Sequence, residues 1–277
     1  SSELVAWRQS VESSQVVGFI PTMGAFHDGH LSLIRRCTEE SDITIVSIFV
    51  NPMQFGENED LDLYPRNMGS DLGALEKLNV GAVFIPMATD VYKKGDSFQV
   101  EETSLSLKLE GKSRPNFFSG VLTVVSKLFN WVRPSRVYFG QKDAQQLILV
   151  EKLVADMKYS IVVVPCKTIR EESGLAMSSR NEYLTAQERD MAGIIYRSLM
   201  HAKMMLNNNE RDAGMIRAAV VNMLGSEDKI NVDYVSVSDL KSLEEINGHI
   251  SSGVLVSVAV CVRDVRLIDN IVFDNLI

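Results

Sequence analysis

Two of the chain's four histidines, His27 and His30, stand three positions apart in "FIPTMGAFHDGHLSLIRRC" (19–37), with Gly24 and Gly29 beside them. Imidazoles at the point where an apolar run becomes a helical pattern can donate to anionic oxygens and stabilise the charge that develops in phosphoryl or nucleotidyl transfer. The neighbouring glycines let the backbone approach an anion closely. The plainer alternative is that the pair caps a helix. Zinc binding by HxxH spacing lacks partners, because only His201 and His249 remain and no cysteine cluster supplies the rest.

Three further stretches carry side chains of the same chemical leaning. In "IFVNPMQFGENEDLDLYPR" (48–66), Asn51-Pro52 stops an apolar run and Gln54 follows, an amide with both donor and acceptor, suited to a substrate bearing hydroxyls and a carboxylate or to loop carbonyls. In "FGQKDAQQ" (139–146), Lys142 can neutralise a polyphosphate, Asp143 can bind a ribose or cap a helix, and Gln146 lies one turn on. In "IREESGLAMSSRNEYL" (169–184), Ser178, Ser179 and Arg180 offer two hydroxyls and a forked guanidinium, a set that fits β- and γ-phosphates.

Other candidates read as structural. Glu57, Glu59, Asp60 and Asp62 form a solvated loop face without the spacing of a calcium loop. Asp71 reads as a first-turn helix aspartate, with contact to a magnesium-bound phosphate as the alternative. Gly111-Lys112-Ser113 is not a P-loop, since Ser106 stands where the first glycine is required.

The elements that must position these groups follow from periodicity. Apolar β-branched runs at "VVGFIP", "ITIVSIFV", "AVFIP", "RVYFG" and "SIVVVP" alternate with helical patterns at 30–40, 70–79, 119–132 and 142–158. That rhythm predicts βαβ crossovers and an α/β fold, a Rossmann-like doubly wound parallel sheet. After a polar hinge at about 169–181 come helical patterns at 186–206 and 212–224, then three strand-like runs, which predict a smaller C-terminal α+β domain. The expected domains are 1–170 and 171–277.

Bulk properties narrow the class. A net charge of -8 argues against a nucleic-acid-coating protein, and the apolar runs are too short for a membrane span. Three isolated cysteines, Cys37, Cys166 and Cys261, predict no disulfide framework, and the N-terminal "SSELVAWRQSVESSQ" predicts an amphipathic helix without signal-peptide character. A cytoplasmic protein is expected.

"HDGH" resembles the HIGH-type signature of nucleotidylyltransferases and class I aminoacyl-tRNA synthetases. "PTMGAFHDGHLSLIR", "FVNPMQF", "FGQKDAQQ" and "GLAMSSRN" together resemble the pantoate–β-alanine ligase family. The resemblance implies condensation of (R)-pantoate with β-alanine, with ATP as substrate, Mg2+ as cofactor and a pantoyl adenylate between. It implies ATP contacts at Met23, Gly24, Ala25, Phe26, His27, Asp28, Gly29, His30, Gly140, Gln141, Lys142, Asp143, Ile169, Met177, Ser178, Ser179 and Arg180, with His30 as proton donor. Gln54 and Gln146 would hold pantoate, with Gln54 bordering the β-alanine path, and the partners would be these small molecules and a second subunit in a homodimer. Two departures stand out: Asn116-Phe117 where the family usually has Gly-His, and Gln141 where it has Glu. A nucleotidyltransferase acting on a phosphorylated acceptor is the runner-up, although Gln54 and Gln146 supply no positive charge for such a phosphate. A nucleotide-binding regulator without turnover is the third reading.

Overall fold

The computed structural model describes residues 2–57 and 59–274, and the chain divides into two compact units. The first takes residues up to Gln141 together with Gln145–Lys167; the second takes Lys142–Ala144 and Thr168 onward.

The first unit begins with α1 (Ser2–Ser10), shorter than the 1–15 pattern predicts, with Ser1 outside the described residues. Then follow β1 (Val17–Thr22), α2 (Asp28–Glu40), β2 (Ile43–Ile48), α3 (Met68–Lys77) and β3 (Ala82–Phe84). Two short helices, α4 (Ala88–Val91) and α5 (Glu110–Ser113), precede α6 (Phe117–Val132), β4 (Arg136–Gly140), α7 (Ala144–Asp156) and β5 (Val162–Cys166). The five strands pair in parallel in the order β3-β2-β1-β4-β5, with Val17 opposite Ile43 and Phe19 opposite Val137. The sheet is the doubly wound one that the alternating pattern predicts. Its order reverses between β1 and β4, and in such sheets ligands bind beyond the carboxyl ends of the strands at that reversal.

Ile20, Ile34, Cys37, Val46 and Tyr138 form a core in which side chains of β1, β2 and β4 meet α2. Each large apolar side chain buried this way stabilises the fold by about 1.5–3 kcal/mol. Burial also pushes the Cys37 and Cys166 thiols up, away from the reactive thiolate form. No helix among the described residues is long and apolar enough to cross a membrane.

In the second unit α8 (Ala186–Ala192), α9 (Ile194–Asn207) and α10 (Ala213–Leu224) precede an antiparallel sheet of β6 (Ile230–Asp239), β7 (Val254–Val262) and β8 (Val265–Phe273), ordered β6-β7-β8. Leu199, Leu206, Ile216 and Val220 are fully buried with Val237, Val256 and Val258, so both long helices face the sheet. The pattern at 186–206 is not one helix. A Cβ at Gly193 would lie 2.3 Å from the Ser173 carbonyl oxygen, and α9 restarts at this close approach.

Candidate active site

The histidine loop leaves β1 at the sheet's reversal. Gly24 (φ +81°) and Ala25 (φ +53°) turn the chain through left-handed conformations, and a Cβ on Gly24 would come within 2.9 Å of Asp71 Oδ2 and 3.0 Å of Ile48 Cγ2. Glycine is therefore required there both by conformation and by space.

His27 is the N-cap of α2, its Nδ1 accepting the Gly29 N–H at 3.1 Å, while the His27 N–H reaches His30 Nδ1 at 3.5 Å. The two rings lie 4.1 Å apart between centroids. The capping role and the anion role are thus compatible. A backbone N–H can only donate, so each Nδ1 is an acceptor and each neutral ring carries its proton on Nε2. The cap sets the tautomer that makes Nε2 a donor.

Asp71 stands in the first turn of α3, as its sequence position predicts, and its carboxylate is turned to the histidine loop. Its side chain is 3% exposed, with Oδ2 accepting from Ala25 N–H at 2.8 Å and Oδ1 from Phe26 N–H at 2.9 Å. From the first turn of α3 it clamps the histidine loop. The N–H groups of Ala25 and Phe26 are consequently directed at protein.

Beyond β2, Asn51 caps a 3-10 turn at Pro52–Gln54, where Pro52 at the first position suits the fixed φ of proline. Asn51 Nδ2 donates to Gln54 Oε1 and to the Gly120 carbonyl, both at 3.1 Å, and Gln54 Nε2 lies 3.2 Å from Met23 Sδ. Met23 and Gln54 therefore meet. The acidic loop is only partly a solvated face: Glu57 and Asp62 are exposed, but Glu59 pairs with Arg114, whose Nε lies 2.7 Å from Oε1.

Asn116 precedes α6 at φ +67°, a conformation that glycine adopts freely and asparagine tolerates better than most residues. The departure from Gly at this position thus keeps the backbone turn. Phe117 takes the Arg114 guanidinium 3.7 Å above its ring centroid.

After Gly140 the chain makes a 3-10 turn, Gln141–Asp143, before α7, so Lys142 and Asp143 precede the helix that the sequence pattern assigns them to. The Lys142 carbonyl accepts from Asn270 Nδ2 at 2.8 Å, which holds this turn on β8, and Lys142 Nζ lies 3.8 Å from Asp143 Oδ1. Gln145 is buried and engaged by Glu110 N–H and the carbonyls of Leu105 and Lys108. Gln146 is half-buried.

The segment predicted as a polar hinge is internally bonded. Arg170 and Ala176 form a bridge, and Met177 N–H donates to Ile169 at 2.9 Å. Arg170 pairs with both oxygens of buried Asp269 on β8 and lies 3.8 Å over the Tyr196 ring. Ser178 caps the 3-10 turn Ser179–Tyr183 by accepting Arg180 N–H at 3.3 Å. Ser179 is buried and Arg180 half-buried. Asn181 Nδ2 ties this turn to Glu171 and to the Ala176 carbonyl.

Asp71, Asn51 and Asn181 are supporting residues that pattern reading missed or underused. An asparagine before proline at a strand end is a readable cap signal; nothing local marks the other two.

The first unit is thus a doubly wound α/β protein of the nucleotide-binding kind, with two capping imidazoles at the sheet's reversal. The family profile described as pantoate-beta-alanine ligase matches residues 1–272. A pantothenate synthetase of Thermotoga neapolitana is 49% identical over 259 residues, covering 94% of this chain and 92% of the relative. The crystal structure of pantothenate synthetase from Thermus thermophilus superposes with a TM-score of 0.91 at 36% identity, covering 97% of this chain and 96% of that one. A pantoate-beta-alanine ligase from Francisella tularensis, complexed with beta-gamma ATP and beta-alanine, gives a TM-score of 0.79 at 34% identity over 98% and 95% of the two chains. The chain belongs to the pantoate–β-alanine ligase family.

Proposed function

We infer that the chain joins (R)-pantoate to β-alanine in an ATP-dependent reaction. A pantoate carboxylate oxygen bonds to the α-phosphorus of ATP and pyrophosphate departs. The β-alanine amine then bonds to the carboxyl carbon and AMP departs, leaving pantothenate. A carboxylate is a poor electrophile at neutral pH, and adenylation supplies the leaving group it lacks. The observation that carries the reading is the His27–His30 capping pair after β1, in a chain matched to the family over residues 1–272.

In this reading the protein works by positioning and fixed electrostatics, with no covalent protein intermediate. His27 and His30 direct Nε2–H groups at phosphate oxygens as hydrogen-bond donors. Lys142, Ser178, Ser179 and Arg180 bear on the triphosphate. Nucleotide contacts run along Met23–His30 and Gly140–Asp143, with Ile169 and Met177. Gln54 and Gln146 hold pantoate. Residues 1–170 form the substrate-binding domain and 171–277 the lid. The support for these roles is motif identity together with the tautomers that the α2 cap imposes.

Magnesium enters with the nucleotide. The acidic residue best placed by sequence, Asp71, has both oxygens engaged by loop N–H groups, and among the described residues no group of three or more His, Cys, Asp and Glu could hold a metal. The described side chains thus form no all-protein cage for the ion, and no step is assigned to it. A homodimer in the cytoplasm completes the proposal.

The test is ATP–pyrophosphate exchange with and without pantoate. Exchange should require pantoate and not β-alanine. Replacing His30 or Lys142 by alanine should lower it by about 10²–10³ without changing the circular dichroism spectrum. Near-wild-type exchange in either variant would remove that residue from the chemistry, and exchange independent of pantoate would sink the reading itself.

A further inference from the structure

Tyr92 lies outside every motif that marks the site. It follows α4, with its N–H on the Ala88 carbonyl at 2.8 Å, and it sends its hydroxyl to Asn51 Oδ1 at 2.6 Å. Lys127 fixes this corner by binding the Val91 carbonyl at 2.7 Å, with its ammonium 5.2 Å from the Tyr92 ring centroid.

The Asn51 amide has one permitted orientation. Met53 N–H can only donate, and it faces Oδ1 at 3.3 Å; the Gly120 carbonyl can only accept, and it faces Nδ2 at 3.1 Å. Nδ2 is therefore a donor toward Gln54, whose facing atom at 3.1 Å must be Oε1. The Gln54 NH2 group is turned the other way, toward Met23 Sδ at 3.2 Å. A thioether is a weak acceptor, so donor capacity remains for a ligand oxygen.

We propose that Tyr92 is a positioning residue for substrate recognition: its hydroxyl adds the shortest bond to the Asn51 amide that Met53 and Gly120 orient, and so holds Gln54 with its N–H donors presented to a carboxylate or hydroxyl oxygen of the substrate. The proposal rests on the reading that Gln54 binds pantoate. Burial pushes the Tyr92 phenol above its ordinary range, so the hydroxyl keeps its proton throughout the working pH range.

The test is a double-mutant cycle read as the steady-state KM for pantoate, with KM for ATP and the melting temperature measured alongside. Tyr92→Phe removes one hydroxyl and should raise KM for pantoate about 3–10-fold, leaving KM for ATP within about twofold. Gln54→Ala should raise KM for pantoate further, and in that background Tyr92→Phe should add nothing, because its effect passes through the missing amide. A Tyr92→Phe enzyme that melts earlier yet keeps the wild-type KM for pantoate would make the hydroxyl merely structural and overturn the proposal. A Tyr92 effect that persists undiminished without Gln54 would also overturn it. Should Gln54→Ala itself leave KM for pantoate unchanged, the assignment of Gln54 falls, a result separate from failure of Tyr92 alone.

Discussion

Asp71 illustrates how one buried carboxylate can govern the shape of a loop distant in the sequence. Its two oxygens match two successive N–H groups across a bend that includes a non-glycine residue at φ +53°. A left-handed alanine costs about 1–2 kcal/mol, and charge-assisted hydrogen bonds of about 1.5–3 kcal/mol each offset it. In Asp71→Asn one oxygen becomes an NH2 that must face a backbone donor. The expected loss is about 1.5–3 kcal/mol of stability, with pyrophosphate exchange lowered about 10–100-fold as the histidines drift from their geometry. Thermal melts and exchange rates measured on the same preparation check this. A destabilised variant with full exchange would show that the histidine loop holds its shape without the clamp.

At the scale of elements, the turn at Pro52–Gln54 is held by the close passage of α6. A Cβ on Gly120 would lie 2.2 Å from the Met53 carbonyl oxygen and 2.9 Å from Gln54 N, both backbone atoms that cannot swing aside. Gly120→Ala should therefore push the turn away, costing about 1–3 kcal/mol through overpacking and raising KM for pantoate while sparing KM for ATP. Unchanged melting temperature and pantoate kinetics would mean that the turn is looser than its contacts imply. Much of this architecture is legible in the sequence. The strands of the parallel sheet are uninterrupted runs such as "ITIVSIFV" because they are buried on both faces. The histidine cap is legible because its bonds reach only two or three residues. What is not legible depends on distant partners: Asp71 meets the loop 45 and 46 positions away, and Asn51 meets Gly120 69 positions away. Likewise Gly193 divides a pattern that reads as one helix, because the obstructing Ser173 carbonyl is placed by tertiary packing. The turn at Gln141–Asp143 is held by Asn270, near the far end of the chain.

Across the whole molecule, stability at low pH should be set by carboxylates that the folded state holds ionised. In the first unit Glu40 is kept below its ordinary range by Arg36, and Asp96 by Lys127. In the second unit Glu188 is kept low by its capping bonds from Thr185, and Asp239 is pulled from 3.8 to about 2 by Ser252, Ser242 and Lys241. The Asp239 bonds are short: Ser252 Oγ at 2.6 Å, Ser242 N at 2.7 Å and Lys241 N at 3.0 Å. A carboxyl whose pKa falls on folding stabilises the native state fully above its unfolded value, and that contribution is lost as pH drops through the folded value. All four shifts have the same sign, so stability should decline as the medium is acidified below the ordinary values of 4.5 for the glutamates and 3.8 for the aspartates toward 2. Asp239→Asn removes the ionisation while nearly keeping the shape. Its melting temperature should fall furthest below wild type at about pH 5 and above, and the gap should narrow steadily as pH falls toward 2. Melting curves of both proteins between neutral and acid pH measure it. A constant gap would mean that the Asp239 hydrogen bonds stabilise the turn equally well with a neutral acceptor.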